Sequence, residues 1–275
     1  MIIGIDIGGT TTDAVAFKNG RICGVVSVIA SDPMTAAAGA LGKLVDKLEI
    51  PLSDISVIAA TGVGVKYLGK DMLLGIPLVR VDEFTSLGTA GAYLTDTKEA
   101  IVVSMGTGTA FVCVKGEDIS HWGGSGVGGG TISGLSRLIL NISSIETLAK
   151  KAEGGALGNI DLFVGDISPS PIDNLPKTAT ASNFGKVSDE ATDNDKALAI
   201  INLVCQSIGV MATYAARANN INNIILTGKL TRLRQAKKIV GGVGDLFGID
   251  VYVPENAEYA TAIGAAIHIY KKEGV

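Results

Sequence analysis

The sequence predicts an α/β fold of two similar halves with a cleft between them, and three observations lead there. The short apolar run Ile2 to Ile7 ends in Gly8-Gly9, resumes in the β-formers Thr11 to Phe17, and meets the hairpin residues Lys18-Asn19-Gly20. The same device returns about a hundred residues later as Ala100 to Ser104, Met105-Gly106-Thr107-Gly108-Thr109, Ala110 to Val114 and Lys115-Gly116. Strand patterns then alternate with helical ones through both halves. The break is expected near residue 96, giving domains 1–96 and 97–258, with a last helix over 259–272 packing back on the first.

In the first half, Ile22 to Val28 is the third strand of an antiparallel set. Met34 to Leu48 reads as a helix, with Leu41, Leu44, Val45 and Leu48 on one face. Ile55 to Ala60 is a buried strand closed by the turn Thr61 to Gly64. Leu78 to Val81 is another short strand, and a helix follows from Phe84 to Leu94. In the second half, a glycine-dense run from Gly123 to Gly130 opens a helix over Thr131 to Leu140. After a polar, Pro-containing stretch, 168–182, come a long helix ending near Ala218 and the strand Asn223 to Leu226, which ends in Thr227-Gly228-Lys229. A helix from about Arg232, the strand Ile249 to Val253 and the final helix complete the chain.

Composition narrows the function. Over 275 residues, 47 % are apolar and 18 % charged, which excludes a disordered chain. With 23 basic against 27 acidic side chains and no basic stripe, a nucleic-acid partner is not expected. Cys23, Cys113 and Cys205 are too few for a disulfide framework, and with only His121 and His268 beside them no zinc or iron–sulfur set forms by spacing. Asp6 interrupts the first apolar run, unlike a signal peptide. Ala197 to Ala216 is a membrane-length stretch without charge, but Asn202, Gln206 and Thr213 interrupt it. A helix buried between the domains of a soluble, cytoplasmic protein is the expectation, with no membrane partner.

The chemistry concentrates in the turns. Glycines after a strand expose backbone N–H groups and threonines add hydroxyls, so Gly8, Gly9, Thr10 and Thr11 can cradle phosphate oxygens. Gly106, Thr107, Gly108 and Thr109 offer a second, facing cradle. Asp6, at the strand end, suits Mg²⁺ bound through water, since that ion keeps several waters and takes one or two carboxylates. The run containing Gly126, Gly128, Gly129 and Gly130 lacks the Gly-Lys-Ser/Thr ending of a P-loop, but it precedes a helix where an anion can bind. Gly228 ends a late strand where an adenine ring could lie against backbone.

These turns, with the final Ala262-Ile263-Gly264-Ala265, resemble the actin-like ATPase and sugar-kinase superfamily, whose fold is a duplicated ribonuclease H-like pair of domains. Within it the chain resembles the type II pantothenate kinases. The strings are GIDIGGT, Asp82-Glu83-Phe84, GTGT, GGSGVGGGTISGL, Val164 to Ile167, and Thr180-Ala181-Ser182-Asn183-Phe184-Gly185, in the family's order and nearly end to end. The resemblance implies ATP- and Mg²⁺-dependent phosphorylation of the primary hydroxyl of pantothenate, the first step toward coenzyme A, by a homodimer. It places Glu83 as catalytic base, Thr107, Thr109 and His121 at the acceptor, and Ala181 and Ser182 in a segment offered to the neighbouring subunit's pocket. Two positions depart from the family pattern: Asp13 stands where it carries Lys, and His121 where it carries Arg. Lys66, Arg80 and Lys229 are the cations that could compensate. From the residues alone, a kinase for another small alcohol and an ATP-binding regulator without acceptor stay open.

Overall fold

Two sheets with the same strand order organise the protein, whose computed structural model describes residues 1–29, 32–168, 170, 172 and 175–272. In the first half, β1 (Ile2–Ile7), β2 (Thr12–Lys18) and β3 (Arg21–Val28) run antiparallel. After helix α1 (Pro33–Leu48), strand β4 (Val57–Thr61) lies parallel to β1, and the hairpin of β5 (Met72–Leu73) and β6 (Ile76–Arg80) closes the order β3-β2-β1-β4-β6-β5. Helix α2 (Glu83–Thr95) follows. The start of α1 is written locally: Asp32 accepts the Thr35 N–H at 2.7 Å and Pro33 occupies the first turn. Its Ala37, Leu41 and Leu44 cover Ile3, Ile5 and Ile7 of β1, while Ile2, Val15 and Phe17 face the other way. β1 is therefore covered on both faces, which is why it reads as a continuous apolar run.

The second half repeats the plan. β7 (Glu99–Met105), β8 (Thr109–Lys115) and β9 (Asp118–Ser125) are antiparallel. Then come α3 (Gly129–Leu140), α4 (Ile145–Ala152), β10 (Leu162–Phe163), α5 (Val164–Ile167), β11 (Thr180–Ser182) and α6 (Asp193–Ala218). β12 (Asn223–Thr227) pairs parallel with β7, α7 (Arg234–Phe247) follows, and β13 (Asp250–Tyr252) completes the order β13-β12-β7-β8-β9 before α8 (Ala260–Lys272). Both three-stranded sets carry a register shift, at Ala16/Phe17 and at Phe111/Val112. Gly123 and Gly124 fall inside β9, so the glycine run begins as strand rather than loop. Of the polar stretch 168–182, residues 169, 171, 173 and 174 lie outside those described.

The long apolar helix sits elsewhere than expected. α6 does not lie between the halves: its Ile200, Ile201, Val204, Cys205 and Ile208 cover Ile101, Val103 and Met105 on the outer face of the second sheet. It has the length and hydropathy of a membrane span and is mostly buried in that core. Between the halves lie α2 and α8. Leu87 of α2 packs against Ala100, Val102, Val112 and Val114 of the second sheet, while Ala90 joins α8 and the inner face of the first. α8 approaches α2 so closely that a Cβ at Gly264 would lie 1.7 Å from the Ser86 carbonyl oxygen.

Candidate active site

Two duplicated sets of turns lie at the ends of the parallel strands, where α/β folds bind ligands. After β1, the Gly8 N–H donates to the Thr11 carbonyl at 3.0 Å and leaves Gly8, Gly9 and Thr10 exposed. After β7, the Gly106 N–H donates to the Gly108 carbonyl at 2.9 Å. The two turns face each other, with the Thr10 and Thr107 hydroxyls 3.5 Å apart. Thr109 is buried, its hydroxyl donating to the Val127 carbonyl at 2.8 Å, so it braces the second turn against the glycine run.

The glycine run supports that turn through its backbone. Gly129 N–H donates to the Gly106 carbonyl at 2.8 Å and Gly130 N–H to the Thr107 carbonyl at 2.9 Å. Gly128 N–H is held by the Thr131 hydroxyl, which itself donates to the Gly126 carbonyl. The amides of Gly128, Gly129 and Gly130 are thus engaged inside the protein, where they brace the second turn.

A second turn pair lies one strand over, and it duplicates too. Thr61-Gly62 ends β4 and Thr227-Gly228 ends β12, with φ of +89° at Gly62 and +86° at Gly228. A Cβ at Gly62 would meet the Ile7 carbonyl oxygen at 2.7 Å, and one at Gly228 the Met105 carbonyl oxygen at 2.7 Å. Glycine is required twice for the same reason, positive φ beneath the neighbouring strand's last carbonyl. Gly62 also makes room for an acid: its Cβ would sit 2.2 Å from Asp6 Oδ1.

Asp6 and Asp13 are cross-strand partners, and Thr61 stands opposite Asp6 on the other side. Burial, with the charges of Asp13 and Glu83 added, pushes the Asp6 carboxyl up to about 7, against the pull of the Lys229 ammonium and a hydrogen bond from Thr261. The Thr61 hydroxyl, 1 % exposed, has no partner among the described residues. Crowded carboxylates beside an unpaired buried hydroxyl fit a hydrated Mg²⁺ held through one or two acids. No three His, Cys, Asp or Glu side chains are placed to hold one metal ion among the described residues, so a cage made wholly of protein ligands is not available.

Glu83 approaches the same cleft from α2. Asp82 caps that helix, taking the Thr85 N–H at 2.8 Å and its hydroxyl at 3.0 Å. Glu83 has no hydrogen bond among the described residues, and burial, then the Asp82 charge, raises its carboxyl above the usual value. Beside it, the Phe84 ring stacks on His121 with centroids 3.9 Å apart and planes 8° from parallel. His121 of the second half is thereby packed against α2 of the first, on the residue that follows Glu83. Ala181 and Ser182 are not brought to this group. They lie exposed on β11, held through Asp161, which is fully buried and accepts from Phe184 N–H at 2.9 Å and Asn202 Nδ2 at 2.8 Å.

Gly62, Thr61 and Thr261 were not among the sequence candidates for the site. The signal for the first two is the repeat itself, Thr-Gly closing an apolar strand twice.

The family model that matches is Fumble, over residues 99–240. A type II pantothenate kinase of Bacillus anthracis is 32 % identical over 82 % of this chain and 82 % of its own length. This chain belongs to the type II pantothenate kinases. The fold is shared more widely than the family. Component A of the Acidaminococcus fermentans (R)-2-hydroxyglutaryl-CoA dehydratase superposes with a TM-score of 0.69 at 16 % identity, covering 100 % of this chain and 99 % of that one. A glucokinase of the ROK family from Streptomyces griseus gives 0.59 at 14 % identity, covering 97 % and 98 %. These are actin-like ATPase and sugar-kinase folds. Against the type II pantothenate kinase pattern the two departures now have surroundings: Asp13 is 4 % exposed and pairs with Lys229, and His121 is stacked on Phe84.

Proposed function

We propose that this chain transfers the γ-phosphoryl group of ATP to the primary hydroxyl of pantothenate, giving 4′-phosphopantothenate and ADP, the entry to coenzyme A. Beyond family membership, the observation that carries this reading is the pair of facing turns with Thr10 and Thr107 hydroxyls 3.5 Å apart above Asp6. Backbone N–H groups and hydroxyls from both halves converge where a polyphosphate would lie, and phosphoryl transfer needs little beyond positioning and charge neutralisation.

Glu83 takes the proton of the acceptor hydroxyl as its oxygen bonds to the γ-phosphorus and the bond to the β-phosphate bridging oxygen breaks. Its freedom from hydrogen bonds and its burial suit a base. Asp6, with the Thr61 hydroxyl beside it, is where Mg²⁺ would be held through water, and the ion would supply neutralisation of phosphate charge. His121, fixed by Phe84, contacts the acceptor next to Glu83. The enzyme works in the cytoplasm as a homodimer, in which Ala181 and Ser182 reach the partner's pocket from their exposed strand.

An ADP-release assay across small primary alcohols tests the reading. Pantothenate gives the highest kcat/KM, and Glu83→Gln lowers turnover about 10²–10⁴-fold while ATP binding persists. Release of ADP that no acceptor stimulates would instead make the protein an ATPase. Mixing Glu83→Gln chains with Ala181→Trp chains restores activity above either alone if the pocket is shared between subunits. No gain on mixing removes the shared pocket.

A further inference from the structure

Among the described residues, one ion pair joins the two halves: Lys229 Nζ to Asp13 Oδ1 at 2.6 Å. The other pairs, Arg80 with Asp71, Lys186 with Asp166, and Lys151 and Lys196 with Asp193, stay within a half. The Lys229 stem starts at Gly228, directly beneath the Met105 carbonyl that leads into the Gly106–Thr109 turn. Its ammonium ends beside Asp13, the cross-strand neighbour of Asp6 at the first turn. The side chain therefore spans from the foot of one cradle to the foot of the other.

Its surroundings aim it. Asp13 and, at 3.4 Å, the Ser27 hydroxyl occupy two of its three donors, and the ammonium lies 4.7 Å from the Tyr259 ring centroid. The Asp13 side chain is 6 % exposed, whereas that of Lys229 remains 29 % exposed. The acid is enclosed while the cation keeps part of its surface and a third donor for a ligand. The other two candidate cations have partners of their own: Lys66 lies over the Tyr67 ring, and Arg80 is held by Asp71 and the Leu68 carbonyl. The charges of Asp13 and Glu83 are felt at Asp6 and that of Lys229 opposes them, so Lys229 offsets acids that would otherwise repel an incoming polyphosphate.

We propose that Lys229 is the phosphate-binding cation of this site, reaching the triphosphate from the second half, and that Asp13 is the positioning residue that aims it. This rests on ATP being the donor, as argued above. The ion pair also fixes the distance between the two turns, so the charge and the alignment of the cradles come from one contact.

Calorimetry with ATP and with adenosine, each on the full chain, tests it. Lys229→Met weakens ATP by roughly tenfold or more and leaves adenosine unchanged, because only the phosphates meet the charge. Retained adenosine binding also certifies that the variant folds. Asp13→Asn frees the ammonium without removing it, so KM for ATP does not rise while kcat falls, and Asp13→Glu recovers part of kcat. Exchanging the pair, Asp13→Lys with Lys229→Asp, returns ATP affinity toward wild type. Equal losses for ATP and adenosine, or no loss for either, overturn the role of Lys229, and an unchanged kcat in Asp13→Asn overturns that of Asp13. A wild-type chain that binds no ATP at all overturns the donor assignment instead, a result that no ratio between variants can mimic.

Discussion

Asp82 and Glu83 are adjacent acids at the start of one helix, and their surroundings give them different work. Asp82 is occupied by the Thr85 amide and hydroxyl, as an N-cap is. Glu83, one residue on, has no such partner and is raised by burial and by Asp82 itself. A base must be ionised, so the acid limb of kcat/KM lies above the ordinary glutamate range. Asp82→Asn keeps the cap, since asparagine caps as well as aspartate, and removes the repelling charge; the limb moves to lower pH. A pH profile of the variant that superposes on wild type would detach the limb from Glu83. The same shift has a sign for stability. A carboxyl raised in the folded state contributes its stability below its unfolded pKa and loses it as pH rises through the folded value. Glu83→Gln therefore unfolds at higher temperature than wild type at pH 8, and the gap closes toward pH 4; thermal melts at the two pH values decide it.

Helix α6 shows the opposite case, an acid whose charge stabilises. Asp195 accepts the Ala156 N–H at 2.7 Å and the Thr192 N–H at 2.8 Å, completing the capping box of α6 and pinning the loop before it. These hydrogen bonds pull its carboxyl down to about 2. A depressed value means stability present above the unfolded pKa and lost as pH falls through the folded one. Asp195→Asn costs about 2 kcal/mol at neutral pH, and the difference from wild type shrinks toward pH 2. Urea unfolding at pH 7 and pH 3 measures it, and an equal cost at both would mean that the charge plays no part. A helix of this length was legible in the sequence because an uncharged run must leave water, and the polar residues Asn202, Gln206 and Thr213 favoured a protein core over a membrane. Its partner was not legible: periodicity says that a helix is covered, never by which sheet, and α6 was expected between the halves. β5, β10 and β11, with two or three residues each, are too short to carry an alternating pattern. At the site, the glycine turns stood out by a local signature, whereas Glu83 was marked by the family resemblance and not by its own neighbours in sequence. The Lys229–Asp13 pair spans 216 residues, and no local rule joins positions so far apart.

For the molecule as a whole, the decisive contact is α2, which completes the inner face of the second sheet through Leu87 and that of the first through Ala90 and α8. Neither half can close its core without it. Two domains joined by a linker would unfold in two steps, one for each core. A shared helix removes the intermediate, because losing either half exposes apolar surface on the other. The protein is therefore expected to melt in one calorimetric transition. A ligand held between the facing turns stabilises that whole unit, by about 2.7 kcal/mol at about a hundred times its Kd. Magnesium ATP should raise the single transition intact. Gly264→Val, which drives a side chain into the Ser86 carbonyl, should separate α2 from α8, lower the transition and weaken ATP binding although it touches neither turn. Two transitions in the wild-type chain, of which ATP moves only one, would show that the halves are independent and that α2 belongs to one of them.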